Sequence, residues 1–415
     1  MPKLFYGWLV VAGAFTVLAT CYALQFSYGV LIPHMVAELG WRRSTFSAPF
    51  SLYILLYTWL SYFAGALTDR IGPRVVIACG ALGLGLGYAL LGTIDSLWQP
   101  YVYLCAIAAL GMSVAFVPCN ATVIRWFVRK RGLALAIASA GISAAAIIGP
   151  LVTAALLETL SWRQTFQFLG AGAVALLLAA SFVMVRDPET KNLRPDGDPS
   201  PGVSGAPVRC APALEGVTLA QAKQSPAFWL LMAALFFTWL AVFFPFVHLP
   251  GHAVQRGIGA AQAANLLVML GVGGLVGRLL GGGLTDRLGR KPGLAISIAL
   301  QAVAFWGLGE SQQYVPLAVW AFVLGMGYSG VSVLFPALLG DLFGRAHVGA
   351  IVGFVFATVG SAAAAGPYLA GLVFDVTGSF DFAFRIAVVL NTIALLLLIM
   401  LKNERRSDSS LATVP

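Results

Sequence analysis

Long apolar stretches alternate with short polar ones along this chain. The charge-free runs are Leu4–Ala37, Ser44–Thr68, Val75–Ile94, Ser96–Ile124, Gly132–Leu157, Gln164–Val185, Gln224–Gln255, Gly257–Thr285, Pro292–Gly309, Ser311–Gly340, Ala346–Phe374 and Ile386–Leu401, with Arg278 the one interruption of the eighth. A helix needs about 20 apolar residues to cross the hydrocarbon core of a bilayer, so the pattern predicts twelve membrane-spanning helices. The last run is short, which places Arg385 at the interface. Ala19-Thr20-Cys21-Tyr22-Ala23 has the look of a signal-peptidase site, but its apolar run continues to His34. That is too long for a signal segment, so the run reads as the first helix.

Six runs precede residues 186–223 and six follow. That stretch holds Pro195-Asp196-Gly197-Asp198-Pro199-Ser200-Pro201-Gly202, has no apolar period, and reads as a flexible cytoplasmic linker. The expected organisation is a six-helix bundle at 1–185, the linker at 186–223, a second six-helix bundle at 224–401 and a cytoplasmic tail at 402–415. The halves repeat. Gly65-Ala66-Leu67-Thr68-Asp69-Arg70-Ile71-Gly72-Pro73-Arg74 matches Gly282-Gly283-Leu284-Thr285-Asp286-Arg287-Leu288-Gly289-Arg290-Lys291 at an offset of 217, with six of ten positions identical. The fold class expected is an all-α integral membrane protein of two pseudo-symmetric six-helix bundles, with a site near the midplane where they meet.

Composition supports this reading. Of 415 residues 59% are hydrophobic and 10% charged, against roughly 25% charged in soluble domains, so most of the surface must face lipid. The net charge of +9 alone would allow a nucleic-acid partner. With both ends placed in the cytoplasm, nineteen basic residues fall in inner segments and five (Arg42, Arg43, Arg163, Arg256, Arg385) in outer ones. The positive-inside rule therefore accounts for the charge without nucleic acid. Four of the five cysteines, Cys21, Cys79, Cys105 and Cys119, lie in apolar runs, and none of the five, Cys210 included, has metal-ligand spacing. They read as buried packing, with neither disulfides nor metal. The glycines of 80–87 and 271–283 follow no strand and lack a phosphate-binding context. Gly273, Gly277 and Gly281, four apart, instead let membrane helices approach closely.

Arg278 is the one charge between Arg256 and Asp286. A charge at membrane depth costs about 2.5–3.5 kcal/mol on insertion scales, and such residues usually face a bundle interior or a water-filled cavity. Arg278 therefore reads as the holder of a carboxylate. The alternative is a guanidinium capped by carbonyls or snorkelling to the interface. One fixed cation suits a monoanion, whereas a dicarboxylate would leave a buried charge unmatched. Gln25, Tyr28 and Ile32 share a face of the first helix by their spacing. Asn120 lies in the fourth helix, and Tyr328, Ser332 and Phe335 share a face of the tenth. Each polar one reads as a substrate contact or as a partner for a neighbouring helix backbone. His248 is the best internal proton site, with a hydrogen-bonded helix-end role as the alternative. His34 and His252 read as surface residues. The turns carrying Gly65, Asp69, Arg70 and Gly72, and Gly282, Asp286, Arg287 and Gly289, read as cytoplasmic latches. A purely folding role for them is the alternative.

The repeated Gly-x-Leu-x-Asp-Arg-x-Gly turn resembles the signature of the major facilitator superfamily. More closely, Trp126-Phe127-Val128-Arg129-Lys130-Arg131-Gly132-Leu133-Ala134 resembles the aromatic-basic lead into the fifth helix of the monocarboxylate transporter family. Gly366-Pro367-Tyr368-Leu369-Ala370-Gly371, followed by Asp375-Val376-Thr377-Gly378, resembles that family's eleventh helix and outer turn. The chain thus looks like a bacterial homologue. It departs at Ile32, Gly274 and Ala115, where some family members carry lysine, aspartate and asparagine respectively. The resemblance implies an arginine in helix eight at the place of Arg278, a histidine near substrate at His248, and a substrate such as lactate or pyruvate moved with a proton by alternating access. Arg278 is the second proton-coupling candidate. The implied setting is the cell inner (plasma) membrane, with the lipid bilayer as partner, no cofactor and no obligate protein partner. Oxalate–formate-like anion exchange on the same fold is the alternative, and a non-transporting acid sensor the third. No nucleophile–base pair suggests an enzyme.

Overall fold

The structure, a computed structural model, describes residues 5–41, 43–197 and 216–401, side chains at 43–47, 197, 260–261, 264 and 282–287 excepted. Cys210, most of the linker and the tail lie outside the described residues. The chain is almost wholly helical: α1 Tyr6–Leu39, α2 Arg43–Ile71, α3 Pro73–Leu91, α4 Phe116–Trp126, α5 Arg131–Leu157, α6 Trp162–Val183, α7 Pro226–Val242, α8 Phe244–Gln255, α9 Ala260–Leu288, α10 Arg290–Glu310, α11 Tyr314–Phe343, α12 Val348–Thr377 and α13 Asp381–Met400. Eleven described spans are long and apolar enough to cross a membrane, and α9 supplies a shorter apolar segment, Asn265–Gly281. α13 starts before Ile386, so Arg385 lies exposed in its second turn.

Helix contacts follow the small residues. A Cβ at Gly273 would collide with the Phe322 carbonyl and one at Gly277 with the Met326 backbone, so the glycine row of α9 seats α11 directly against it. On the other side, Gly80 and Gly83 of α3 meet Val114 and Gly111. Between the halves, α2 packs on α12 and α5 on α9. These two seams place α9 and its Arg278 at the meeting of the halves.

Two spans are not continuous α-helices. The fourth begins as a π-helix, Tyr101–Ala108, passes through Ala109–Met112 and breaks before α4. Pro118 has no N–H to give Val114, which leaves the turn above it unsupported. At the same break the Ser61 hydroxyl donates to the Ser113 carbonyl at 3.1 Å. The seventh span breaks at Phe243, between α7 and α8, because Pro245 cannot donate to Ala241.

The linker departs from the flexible reading at its described flanks. Asp196 accepts from the backbone N–H groups of Val128, Arg129 and Lys130 at 2.8–3.2 Å, and the Val217 N–H donates to the Phe343 carbonyl at 2.9 Å. Both ends of the linker are thus docked. Cys21, Cys105 and Cys119 are buried, but Cys79 is exposed, contrary to the packing reading. His252 also corrects the surface assignment: it is 2% exposed. Its Nε2 lies 3.3 Å from the Leu308 carbonyl, and its ring packs 4.7 Å from Phe384. His34 is exposed, as expected.

Candidate functional site

Arg278 stands ten residues before the end of α9 at Leu288, a rise of about 15 Å, or half the thickness of a hydrocarbon core. It is 4% exposed. Its Nη1 donates to the Ser143 hydroxyl of α5, from the other half. Tyr22 of α1 and Tyr328 of α11 are its electrostatic neighbours, and Nε has no partner among the described residues. Tyr57 of α2 joins the group, with Tyr22 and Gln25 in hydrogen-bonding reach of its hydroxyl and Tyr328 alongside. Two tyrosines and a serine, drawn from both halves, are therefore the neighbours of the guanidinium, and Tyr57 and Gln25 adjoin those tyrosines.

The Tyr328 ring is flanked by Phe243 at 5.6 Å, Phe246 at 5.7 Å and Trp239 at 6.3 Å. Phe335 lies 6.1 Å from Trp239 and 6.0 Å from Phe116 of α4, so it too bridges the halves. Ser332 is buried on the same helix. Of the residues singled out from sequence, Tyr328 is thus a neighbour of Arg278, and Gln25 stands one step further out, beside Tyr57. Tyr28 does not: it is buried within the first half, stacked on Phe50 at 5.0 Å and against Phe166 at 6.3 Å. Ile32, one turn further along α1, is also buried. Asn120 is buried in α4 and donates to the Phe116 carbonyl at 2.7 Å. His248 sits in α8, its Nε2 3.0 Å from the Pro367 carbonyl of α12 and its ring 4.9 Å from Phe380. Two grooves of about 170 and 220 Å³ lie elsewhere, between α10 and α13 beside Lys291 and among α1, α5 and α6 beside Ser27.

A second polar cluster joins the halves at the end that carries the linker. Asp69, near the end of α2, accepts from the Gly349 and Ala350 N–H groups at 3.1 and 2.9 Å. These donors belong to the first turn of α12, where helix N–H groups lack internal partners and the dipole favours an anion. Arg125 of α4 pairs with Asp69 at 2.7 Å and with linker Asp187 at 3.1 Å, and donates to the Ala346 carbonyl at 2.7 Å. Asp341 of α11 accepts from Arg131 and Arg290, and Arg345 donates to the Arg125 carbonyl at 2.6 Å. Gly65 touches the Gly349 backbone, and Gly72 turns the chain at φ 87°. Arg70 is exposed. In the second copy Gly289 repeats the turn at φ 93°, while the surroundings of Gly282 and the side chains of Asp286 and Arg287 lie outside what is described. At the opposite end the pairs Arg163–Glu38 (3.0 Å) and Arg256–Asp381 (2.5 Å) each stay within one half. This conformation is latched at the linker end.

Sequence reading passed over Arg125, Asp187, Ser143, Tyr22, Tyr57 and Trp239. Arg125 carried a signal, standing directly before the aromatic-basic segment, but counted only as a basic residue. Ser143 carried none, being one small hydroxyl in an apolar run.

The profile of the Major Facilitator Superfamily matches residues 14–307 and 254–413, and the chain belongs to that family. It is a multi-pass membrane transporter, not an enzyme. Among curated proteins it is 28% identical to human (Homo sapiens) monocarboxylate transporter 11 over 393 residues, covering 92% of this chain and 80% of that protein. It is 27% identical to rat (Rattus norvegicus) monocarboxylate transporter 10 over 399 residues, covering 93% and 76%. It is thus related to the monocarboxylate transporters. The fold is shared with the human organic anion transporter MFSD10 (TETRAN), at TM-score 0.72 and 16% identity over 96% of this chain and 100% of that one. It is shared also with the E. coli fucose:proton symporter FucP, at TM-score 0.68 and 16% identity over 94% and 98%.

Proposed function

We propose that the protein carries a small monocarboxylate of the lactate or pyruvate kind, with a proton, across a plasma membrane by alternating access. The observation that carries this reading is the charge of Arg278, buried at mid-depth where both halves contribute side chains and met by hydroxyls rather than by a carboxylate among the described residues. A monoanion would neutralise it and accept from its free donors. Tyr328, Gln25 and Phe335 would shape the pocket around the acid, with Ser332 and Asn120 as further contacts and Tyr28 as the most distant candidate. The names of the relatives point to the same substrate class. His248, between α8 and α12, is the proton candidate with Arg278, since anion plus proton moves no net charge.

Both termini and the linker are assigned to the cytoplasm, with the rocking bodies at 1–185 and 224–401. The Asp69 latch is then the cytoplasmic gate, and Gly282, Asp286, Arg287 and Gly289 form its counterpart turn. A second reading, organic-anion exchange, is favoured by the position of the described buried carboxylates. Asp69 and Asp187 lie at the linker end, not at mid-depth. Counterflow insensitive to an imposed pH gradient selects exchange. The main reading is tested by thermal stabilisation of purified protein with short mono- and dicarboxylic acids at two pH values. Monoacids should stabilise the wild type and leave Arg278→Ala unmoved, and equal stabilisation of the variant discards the site.

A further inference from the structure

The acceptor on Arg278 comes from a helix whose position is closely fixed. Ser143 lies on α5 between Gly141 and Gly149, and a Cβ at either glycine would run into the α1 backbone, at Phe15 and at Ala23. α5 is therefore seated directly on α1, and α5 in turn packs across the seam on α9. The hydroxyl that meets Nη1 is presented by a stiff support in one half to a guanidinium in the other.

This contact bears on how the carrier returns. A symporter must reorient with no anion bound, and in doing so must bury Arg278 between its halves. A buried cation with no hydrogen-bond acceptor is strongly disfavoured, so a carrier lacking one would reorient only when loaded and would act as an exchanger. Here the chain provides its own acceptor. We propose that Ser143 is a positioning residue that stands in for the substrate carboxylate at Arg278 while the empty carrier reorients, and so sets the ratio of net transport to exchange. The inference rests on Arg278 being the anion site. It adds that the neutral hydroxyl is a weak substitute, good enough to permit return and easily displaced by an acid.

The test uses full-length protein in liposomes with labelled pyruvate as the probe. Net uptake into empty vesicles is compared with counterflow into vesicles preloaded with unlabelled pyruvate. For Ser143→Ala the ratio of net uptake to counterflow should fall about tenfold, the scale of one hydrogen bond to a charged group, and Ser143→Thr should restore it. Ser139→Ala, one turn away on α5, removes a buried hydroxyl that has no partner among the described residues and should leave the ratio at the wild-type value. Net uptake and counterflow falling together in Ser143→Ala, or an unchanged ratio, overturns the inference while leaving the anion site standing. Counterflow that persists in Arg278→Ala, or no pyruvate counterflow in the wild type, instead overturns the reading beneath it.

Discussion

Of the three described arginines that are buried, Arg125 at the linker end and Arg278 at mid-depth differ most in what meets them. Arg125 is 2% exposed and Arg278 4% exposed, so water solvates neither. Arg125 meets two carboxylates and a carbonyl. Arg278 meets one hydroxyl and two phenol-bearing neighbours. The charge matched by carboxylates belongs to the architecture: it ties α2, α4, the linker and the start of α12 into one latch. The under-matched charge has capacity left for a ligand. Burial alone does not separate the two. What separates them is whether the protein itself supplies the counter-charge.

That contrast can be broken by substitution. The largest effect is expected from Arg125→Met, which takes the buried cation from Asp69 and leaves Asp187 only Arg186, at 2.6 Å. Losing one partner of a buried pair costs about 3–5 kcal/mol, so the unfolding midpoint in detergent should drop clearly below that of the wild type. Asp69→Asn is milder, because Arg125 keeps Asp187. It should weaken the hold on the first turn of α12 by about 2 kcal/mol, raising hydrogen exchange of the Gly349 and Ala350 amides about 30-fold. Unchanged exchange there would mean that the latch does not hold α12. The smallest effect has the opposite sign. Arg278→Met removes a buried charge that no carboxylate balances among the described residues, and should raise stability by about 1 kcal/mol while abolishing uptake. A variant destabilised like Arg125→Met would erase the distinction between the two arginines.

Much of the fold was legible in sequence because lipid is a uniform solvent. Each charge-free run had to become a helix, since no other open segment satisfies its backbone in hydrocarbon. The breaks were harder to read. Pro118 and Pro245 stand at interruptions, yet Pro33, Pro49, Pro150, Pro336 and Pro367 lie inside unbroken helices. A proline removes one donor wherever it sits, and the surrounding helices decide whether the chain bends or parts there. His252 was misread for a related reason. Its segment is apolar nearly all round, so spacing could not tell the face toward α10 and α13 from the face toward lipid.

The site divided in the same way. Arg278 announced itself as the lone charge in its run, and Gln25 and Tyr328 as polar groups on its neighbours. Its acceptor Ser143 is 135 residues away, and Arg125 finds partners 56, 62 and 221 residues away.

The number of apolar spans, their approximate ends and the presence of a charge within one of them were determined by sequence alone. Transfer from water to hydrocarbon is nearly additive along a chain and can be summed locally. Which arginine is neutralised, which histidine is enclosed and which hydroxyl faces the guanidinium were decided by the tertiary structure. Hydrogen bonds and ion pairs depend on angstrom-scale distances between segments remote in the chain, and only the packed helices establish those distances.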